Sequence, residues 1–226
     1  MVEANKIAEA FRQHVTSLTS YNVECDLLVG SPHAELIKLA DKHRASLVVI
    51  GASGEGGVGD ALFGTTAENV VRYAHGPVLV VRQSPADSSV IVGTDFSDAS
   101  TPAVRVGIQE AKSESAELVL FHSTHQPHSR LDVLGLAKES TASETSARRS
   151  AAQKSFEALL KSEAPKGKSV IVDEAPGQAL PALASQTKAS LVVVGTHGRT
   201  GLKRMALGSI AATVVRNAPC SVLVVR

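Results

Sequence analysis

The sequence contains few of the residues that mark several protein classes. Cysteine occurs twice in 226 residues, at Cys25 and Cys220, and the two do not form a CxxC pair. With no signal peptide at the start, this fits free thiols in a reducing compartment. No apolar run reaches the roughly 20 residues that cross a bilayer. These absences predict a soluble, cytoplasmic protein without a membrane span.

The sequence also lacks an excess of either charge. It has 23 Lys and Arg against 22 Asp and Glu, a formal net charge of +1. This balance argues against a broad surface for nucleic acid or an anionic membrane, although it allows a local basic site. Hydrophobic residues make up 43% of the chain, enough for a packed core.

What the sequence does contain is an internal duplication. Residues 45–51 (ASLVVIG) recur as 189–195 (ASLVVVG), and residues 78–82 (VLVVR) recur as 222–226, both offset by 144 positions (195 − 51 and 226 − 82). We predict a complete second copy over residues 88–226. The first copy, residues 1–84, lacks roughly the first 60 residues of the unit. A short polar segment with Pro85 joins the copies, as expected of a linker.

The second copy alternates short β-branched runs with helical segments. Its strands are predicted at 90–93, 118–121, 169–172, 190–194 and 221–225. One helix is expected to be capped by Ser97 or Asp98, and a long one covers 141–161. Strands buried on both faces and separated by helices indicate a parallel sheet with right-handed crossovers.

The first copy repeats the later part of this pattern. It is predicted to contain a helix ending at Leu18, a strand at 23–29, a helix at 34–43, a strand at 47–50, a helix at 65–74 and a strand at 78–81. Its first two strands are missing from the pattern.

A glycine-rich loop follows the fourth strand of the second copy. Gly195 and Gly198 stand at its beginning, and Gly208 and Ser209 open the next helix, in the spacing G-x2-G-x9-G-S. Glycine allows close approach of the backbone to a ligand, and a helix N-terminus binds phosphate through its unpaired N–H groups. Because the intervening loop is basic, this pattern favours a phosphate site over a turn with solvated charges. The basic residues are Arg199, Lys203 and Arg204.

The first copy has the same glycine spacing but a different loop. Gly51, Gly54 and Gly64 match in position, whereas the loop carries Glu55 and Asp60 and no basic residue. Since acidic groups repel phosphate, we expect the first copy to bind a phosphate tail more weakly, if at all.

Three further polar sites allow two interpretations each. Asp95 follows the first strand of the second copy, where it either accepts hydrogen bonds from a ribose or adenine or caps the next helix. His197 either exchanges protons beside phosphates or bonds within its own loop, and the second is favoured. The cluster His122, His125 and His128 is expected to be solvated rather than to hold a metal. Cys220 is expected to be a small buried hydrophobe.

These motifs together resemble the ATP-binding branch of the universal stress protein family. The matching parts are the V-x-x-D-x-S strand end (Val92 to Ser97), the G-T-H-G-R-T-G loop (Gly195 to Gly201) and the Gly208-Ser209 pair. The resemblance covers essentially the whole chain. It implies an adenine nucleotide alpha hydrolase-like α/β fold, an open five-stranded parallel sheet in the order 3-2-1-4-5 with helices on both faces.

The resemblance also implies a ligand and its site. The ligand would be ATP, AMP or ADP, and whether Mg²⁺ accompanies it is left open. Asp95 would hold ribose or adenine, the backbone near Ser123 would meet the adenine edge, and the glycine loop would hold ribose and phosphates. The full predicted ligand-binding set is Thr94, Asp95, Ser97, Ser123, Gly195, His197, Gly198, Arg199, Gly208, Ser209 and Ile210.

Family members pair through antiparallel fifth strands, which implies either a homodimer or pairing of 78–81 with 222–225 within one chain.

Losing two strands leaves the 23–29 strand without a neighbour. We therefore expect the segment before about Leu47 to be displaced, swapped onto another chain or loosely held, and we hypothesise a truncated form of a longer tandem protein.

The implied function is nucleotide-dependent regulation or partner binding in a stress response. The alternatives are slow ATP hydrolysis or phosphotransfer, and an interaction module that has lost its ligand. No catalytic residue is predicted.

Overall fold

Short runs of β-branched residues form the strands, and alanine-rich segments between them form helices. The computed structural model describes residues 2–52, 64–83, 89–125, 142–164, 166–196 and 207–226, with the backbone alone at 2–5 and 8. In the first copy the elements are α1 (Val2–Leu18), α2 (Pro32–Lys42), β1 (Val48–Gly51), α3 (Thr65–Tyr73) and β2 (Val78–Val81).

The second copy has the five strands that its sequence predicts. Its elements are β3 (Ser89–Gly93), α4 (Thr101–Ser113), β4 (Glu117–Ser123), α5 (Ala142–Glu163), β5 (Lys168–Val172), α6 (Pro176–Gln186), β6 (Leu191–Gly195), α7 (Ser209–Asn217) and β7 (Ser221–Val225). In these described parts, no helix combines the length and the apolar character that crossing a bilayer requires.

The strands of the described part of the chain belong to one sheet with the order β1-β2-β7-β6-β3-β4-β5. The predicted α/β class is confirmed, and the strands of the second copy are parallel and follow the order 3-2-1-4-5. Over the described residues the sheet differs from the prediction, since it has seven strands and one antiparallel pair. The difference arises because β2 of the first copy lies beside β7.

The β2–β7 pair relates the two copies by a local pseudo-twofold axis. Leu79 lies opposite Leu223, its own equivalent in the duplication, and Val78 lies opposite Val224 as Val80 does opposite Val222. Adding 144 to the β2 member of a pair and subtracting 144 from its β7 partner therefore gives another pair of the same register. The equivalent helices α3 and α7 lie on the same face of the sheet, where their buried valines join one apolar cluster.

Two apolar clusters cover the two faces of the sheet. One packs α3, α6 and α7 against residues such as Ile91 and Val192, and the other packs α4 and α5 against Val90, Val92 and Val193. Neighbouring residues of β3 thus point to opposite faces, as the period of a strand requires. Burial on both faces explains why the central strands read as continuous apolar runs.

The predicted strand at 23–29 is wrong. Residues 19–31 contain no helix or strand, and Val29 is 94% exposed. In the second copy the equivalent segment forms β5, which pairs with β4. Among the described residues of the first copy nothing corresponds to β4, so the segment has no backbone to pair with. Displacement, swapping onto another chain or loose association of this segment stays a prediction.

The expected helix cap at Ser97 or Asp98 is also wrong. Helix α4 begins at Thr101, and Ser100 stands at its N-cap position. The signal for this start is Pro102, because proline lacks an N–H group and is favoured in the first turn. Residues 96–100 instead form a turn between β3 and α4.

Candidate functional site

The crevice at the carboxyl ends of β3 and β6 is the natural place for a ligand in this sheet. From β3 the chain proceeds to β4 and β5 on one side and later returns to β6 and β7 on the other. Ligands of open α/β sheets bind where the strand order reverses in this way. The two strands are parallel, with Val92 opposite Val193, so Asp95 and Gly195 follow at the same edge.

The N-terminus of α7 lies at this edge, directly after β6. The backbone N–H of Gly208 donates to the carbonyl of Thr196 at 2.8 Å, and Thr196 N donates to Val225 O at 3.0 Å. Ser209 and Ile210 in the first turn are exposed. The first intrahelical bond comes from Ala212 N to Gly208 O at 3.0 Å, so the N–H groups of 209–211 have no partner within the helix, the arrangement through which helix starts bind anions.

The carboxylate of Asp95 is oriented by the turn in which it lies. Its Oδ1 accepts hydrogen bonds from Ser97 N at 3.0 Å and from Ser97 Oγ at 2.5 Å. Since α4 begins only at Thr101, Asp95 does not cap that helix, and this alternative is excluded. The half-buried carboxylate remains the predicted acceptor for a ligand at the end of β3.

The polar groups of Thr94 are engaged inside the protein. Its N–H donates to Phe121 O at 2.9 Å, and its carbonyl accepts from His122 Nδ1 at 2.8 Å. Its hydroxyl lies 2.9 Å from Ser100 Oγ and accepts from Phe96 N at 3.0 Å. These bonds hold the turn, and contact of Thr94 with a ligand stays a prediction.

Ser123 lies at the carboxyl end of β4, on the other side of β3. Its hydroxyl donates to Glu174 O at 2.6 Å and accepts from His125 N at 3.1 Å. This pair of bonds ties the end of β4 to the residues that follow β5. Contact of the nearby backbone with an adenine edge remains a prediction.

Part of the predicted site lies outside the described residues. His197, Gly198 and Arg199 fall in the 197–206 segment, and the acidic Glu55 and Asp60 of the first copy fall in 53–63. The described residues bring together the ends of β3 and β6 and the start of α7.

His122 contradicts the interpretation of the histidine cluster as solvated. It is the sixth residue of β4 and only 7% exposed, and its Nδ1–H group donates to Thr94 O. Its ring centroid lies 4.6 Å from that of Phe96. The signal for its burial was its place directly after the apolar run 118–121. His128 lies outside the described residues.

The first copy reproduces the geometry at α3 with one added charge. Gly64 N donates to Ala52 O at 2.8 Å, as Gly208 does to Thr196. The first turn of α3 carries Glu68 where α7 has Ala212. Glu68 pairs with two arginines, Arg72 at 3.0 Å and Arg216 at 3.1 Å. Glu68 is absent from the residues predicted from the sequence, although the offset of 144 from Ala212 identifies its position.

Comparisons with known proteins agree over both copies. A family model described as "Universal stress protein family" matches residues 2–82 and 88–226. One universal stress protein of Mycobacterium tuberculosis is 30% identical over 215 residues, covering 91% of this chain and 69% of its own. A second from that organism is 30% identical over 241 aligned positions, covering 100% of this chain and 74% of its own.

Solved structures show the same fold. A universal stress protein from Archaeoglobus fulgidus superposes with a TM-score of 0.69 at 20% identity, over 99% of this chain and 76% of its own. UspA from Lactobacillus plantarum superposes with a TM-score of 0.51 at 26% identity, over 62% of this chain and 98% of its own. The second comparison has the coverage expected for a single copy.

Proposed function

Because this chain belongs to the universal stress protein family, we propose that its second copy binds an adenine nucleotide between the ends of β3 and β6. The observation that carries this proposal is the position of α7. Its exposed first turn is tied to the end of β6 through the 2.8 Å bond between Gly208 and Thr196. The positive end of a helix then faces the crevice that Asp95 borders.

The two ends of the nucleotide are assigned by chemistry. A phosphate tail suits the N–H groups of α7 and the basic 197–206 loop, while a ribose hydroxyl or an adenine amine suits the acceptor carboxylate of Asp95. ATP is the form we propose, with AMP and ADP as weaker alternatives, since the basic loop favours the longer phosphate chain. Titration with and without Mg²⁺ distinguishes a metal complex from free nucleotide.

The first copy has a different role in this proposal. The loop of the first copy carries Glu55 and Asp60 where the second copy has Arg199 and Arg204, which disfavours a phosphate at α3, and β2 continues the sheet beyond β7. We therefore assign ligand binding to the second copy alone. Nucleotide binding would stabilise the folded chain by mass action, by about 2.7 kcal/mol at a hundredfold excess over Kd. Regulation through a partner in a stress response is the function that we infer.

The test uses the duplication as its own control. Ser209→Asp places a negative charge at the first position of α7, and Thr65→Asp makes the matching change at α3. An acidic residue at a helix start is tolerated or mildly stabilising, so both variants should fold. Calorimetric titration should show that Ser209→Asp lowers the affinity for ATP at least tenfold, whereas Thr65→Asp leaves this affinity unchanged.

Asp95→Ala should weaken ATP binding as well, by about tenfold, because a charged acceptor is removed. If Ser209→Asp and the unmodified protein bind ATP with equal affinity, the phosphates do not lie at the start of α7. Failure of the unmodified protein to bind ATP, ADP or AMP at millimolar concentration would overturn the proposed function and favour the interaction module.

A further inference from the structure

The residue after Asp95 has an unusual backbone conformation. Phe96 has φ of 61°, in the left-handed region, where an L side chain costs about 1–2 kcal/mol. The other described non-glycine residues with positive φ are Arg44, Ser115 and Lys188. Each of those three lies just after the end of a helix, where this conformation is common. Phe96 instead follows a strand at the candidate site, where such strain is associated with function.

An aromatic cluster holds Phe96 in this conformation. Its ring meets the edge of Phe156, a fully buried residue of α5, with centroids 4.9 Å apart. The other neighbour is the imidazole of His122 on β4, at 4.6 Å. Edge-to-face packing of this kind adds about 0.5–1.5 kcal/mol beyond burial. The packing is therefore of the size needed to offset the backbone strain.

His122 also holds Thr94, the residue before Asp95. His122 Nδ1–H donates to the carbonyl of Thr94 at 2.8 Å, and the N–H of Thr94 bonds to Phe121 O at 2.9 Å. Because a carbonyl can only accept, His122 must carry its proton on Nδ1. His122 thus contacts both neighbours of Asp95, Thr94 by a hydrogen bond and Phe96 by its ring.

We propose that His122, Phe96 and Phe156 are positioning residues that hold Asp95 in its ligand-binding direction before a ligand arrives; this rests on the proposed function of the second copy. The cluster does not touch the ligand. It fixes the backbone on both sides of the carboxylate, and the two bonds from Ser97 fix the side chain itself. A site ordered in advance loses less freedom on binding, which raises its affinity.

A double-mutant cycle separates positioning from simple packing. His122→Phe keeps a ring beside Phe96 and removes the donor to Thr94, while His122→Asn keeps a donor at similar reach. Each is combined with Asp95→Ala, and affinity for ATP is measured by calorimetry at a temperature where all variants are folded. ATP is the probe because the contacts proposed at α7 keep binding measurable without Asp95. Leu120→Ala, at a fully buried residue of β4, controls for lowered stability.

We expect His122→Phe to weaken ATP binding about tenfold, the effect of one hydrogen bond that orders a site. His122→Asn should recover most of this loss. In the Asp95→Ala background His122→Phe should have no further effect, because the group that it positions is absent. Binding of inorganic triphosphate should be the same in all variants. Phe156→Leu reaches the same turn from α5 and should show the same dependence on Asp95.

Two results would overturn the proposal while leaving nucleotide binding intact. One is ATP affinity in both His122→Phe and Phe156→Leu equal to that of the unmodified protein. The other is an equal loss with and without Asp95, which would show that the cluster only packs. If the unmodified protein does not bind ATP, the proposed function fails and this inference falls with it.

Discussion

Arg82 and Arg226 stand at equivalent positions, 144 residues apart (226 − 82), and each binds the helix of the other copy. Arg82 Nη2 donates to Val215 O at 2.8 Å, near the end of α7. Arg226 Nη2 donates to Val71 O, also at 2.8 Å, near the end of α3. The two acceptors are themselves 144 residues apart. Cations at helix C-termini are favourable for the dipole, so the arginines close the junction between the copies symmetrically.

Replacing either arginine should loosen this junction. Burial lowers the pKa of both Arg82 and Arg226, although each remains charged at neutral pH. We expect Arg82→Ala or Arg226→Ala to reduce the free energy of unfolding by about 1–3 kcal/mol, because a charge-assisted bond is lost. Urea unfolding followed by circular dichroism measures the change. Arg216→Ala is the control, since its ion pair with Glu68 is largely exposed and worth under about 1 kcal/mol. Equal losses in all three variants would contradict the special role of the junction.

Gly107 is required by the close approach of α4 to the sheet. A Cβ atom added there would lie 2.3 Å from Cγ2 of Val92. Overpacking of this kind costs about 1–3 kcal/mol, which exceeds the gain of about 1 kcal/mol that alanine brings to a helix. We expect Gly107→Ala to lower the melting temperature. Gly76→Ala, where the nearest atom is 3.5 Å away, should change it little. A stabilised Gly107→Ala variant would show that α4 can move outward at low cost.

A charged side chain should be tolerated on β1, at the edge of the sheet, but not at the equivalent position of the central strand β6. Val49 is 58% exposed, whereas Val193, its equivalent on β6, is 0% exposed. Val49→Lys should leave the free energy of unfolding within about 0.5 kcal/mol, and Val193→Lys should lower it by about 4 kcal/mol or more. Soluble yield and urea unfolding give the comparison. Strong destabilisation by Val49→Lys would mean that this edge is covered in solution.

Cys220 should make stability depend on alkaline pH. It is 1% exposed, and burial raises the pKa of its thiol to about 11, against an ordinary value of 9.0. Burial favours the neutral thiol. The stabilisation that Cys220 gives to the folded state is therefore complete below about pH 9 and is lost as pH rises towards 11. The loss should reach up to about 3 kcal/mol. Unfolding at pH 7.5, 9 and 10.5 under reducing conditions tests this, with Cys220→Ala as reference. The difference between the two proteins should shrink with pH, and a constant difference would contradict the shift.

The duplication, the α/β class and most element positions follow from the sequence alone. Runs such as 191–195 and 222–225 are apolar over consecutive residues, which predicts strands buried on both faces. The burial of Cys220 was predicted in the same way, from its place before an apolar strand. Local pattern is sufficient here because strand and helix preferences act over a few residues.

The tertiary structure decided what depends on contacts between distant parts of the chain. Residues 23–29 have the composition of a strand, yet they are not one, because a strand needs a neighbour with which to share hydrogen bonds. His122 lies in a polar, histidine-rich part of the sequence, which predicts a solvated side chain. It is nevertheless buried, because β4 continues to Ser123 and brings it beside Thr94 and Phe96. Such partners lie tens of residues away, and only folding brings them into contact.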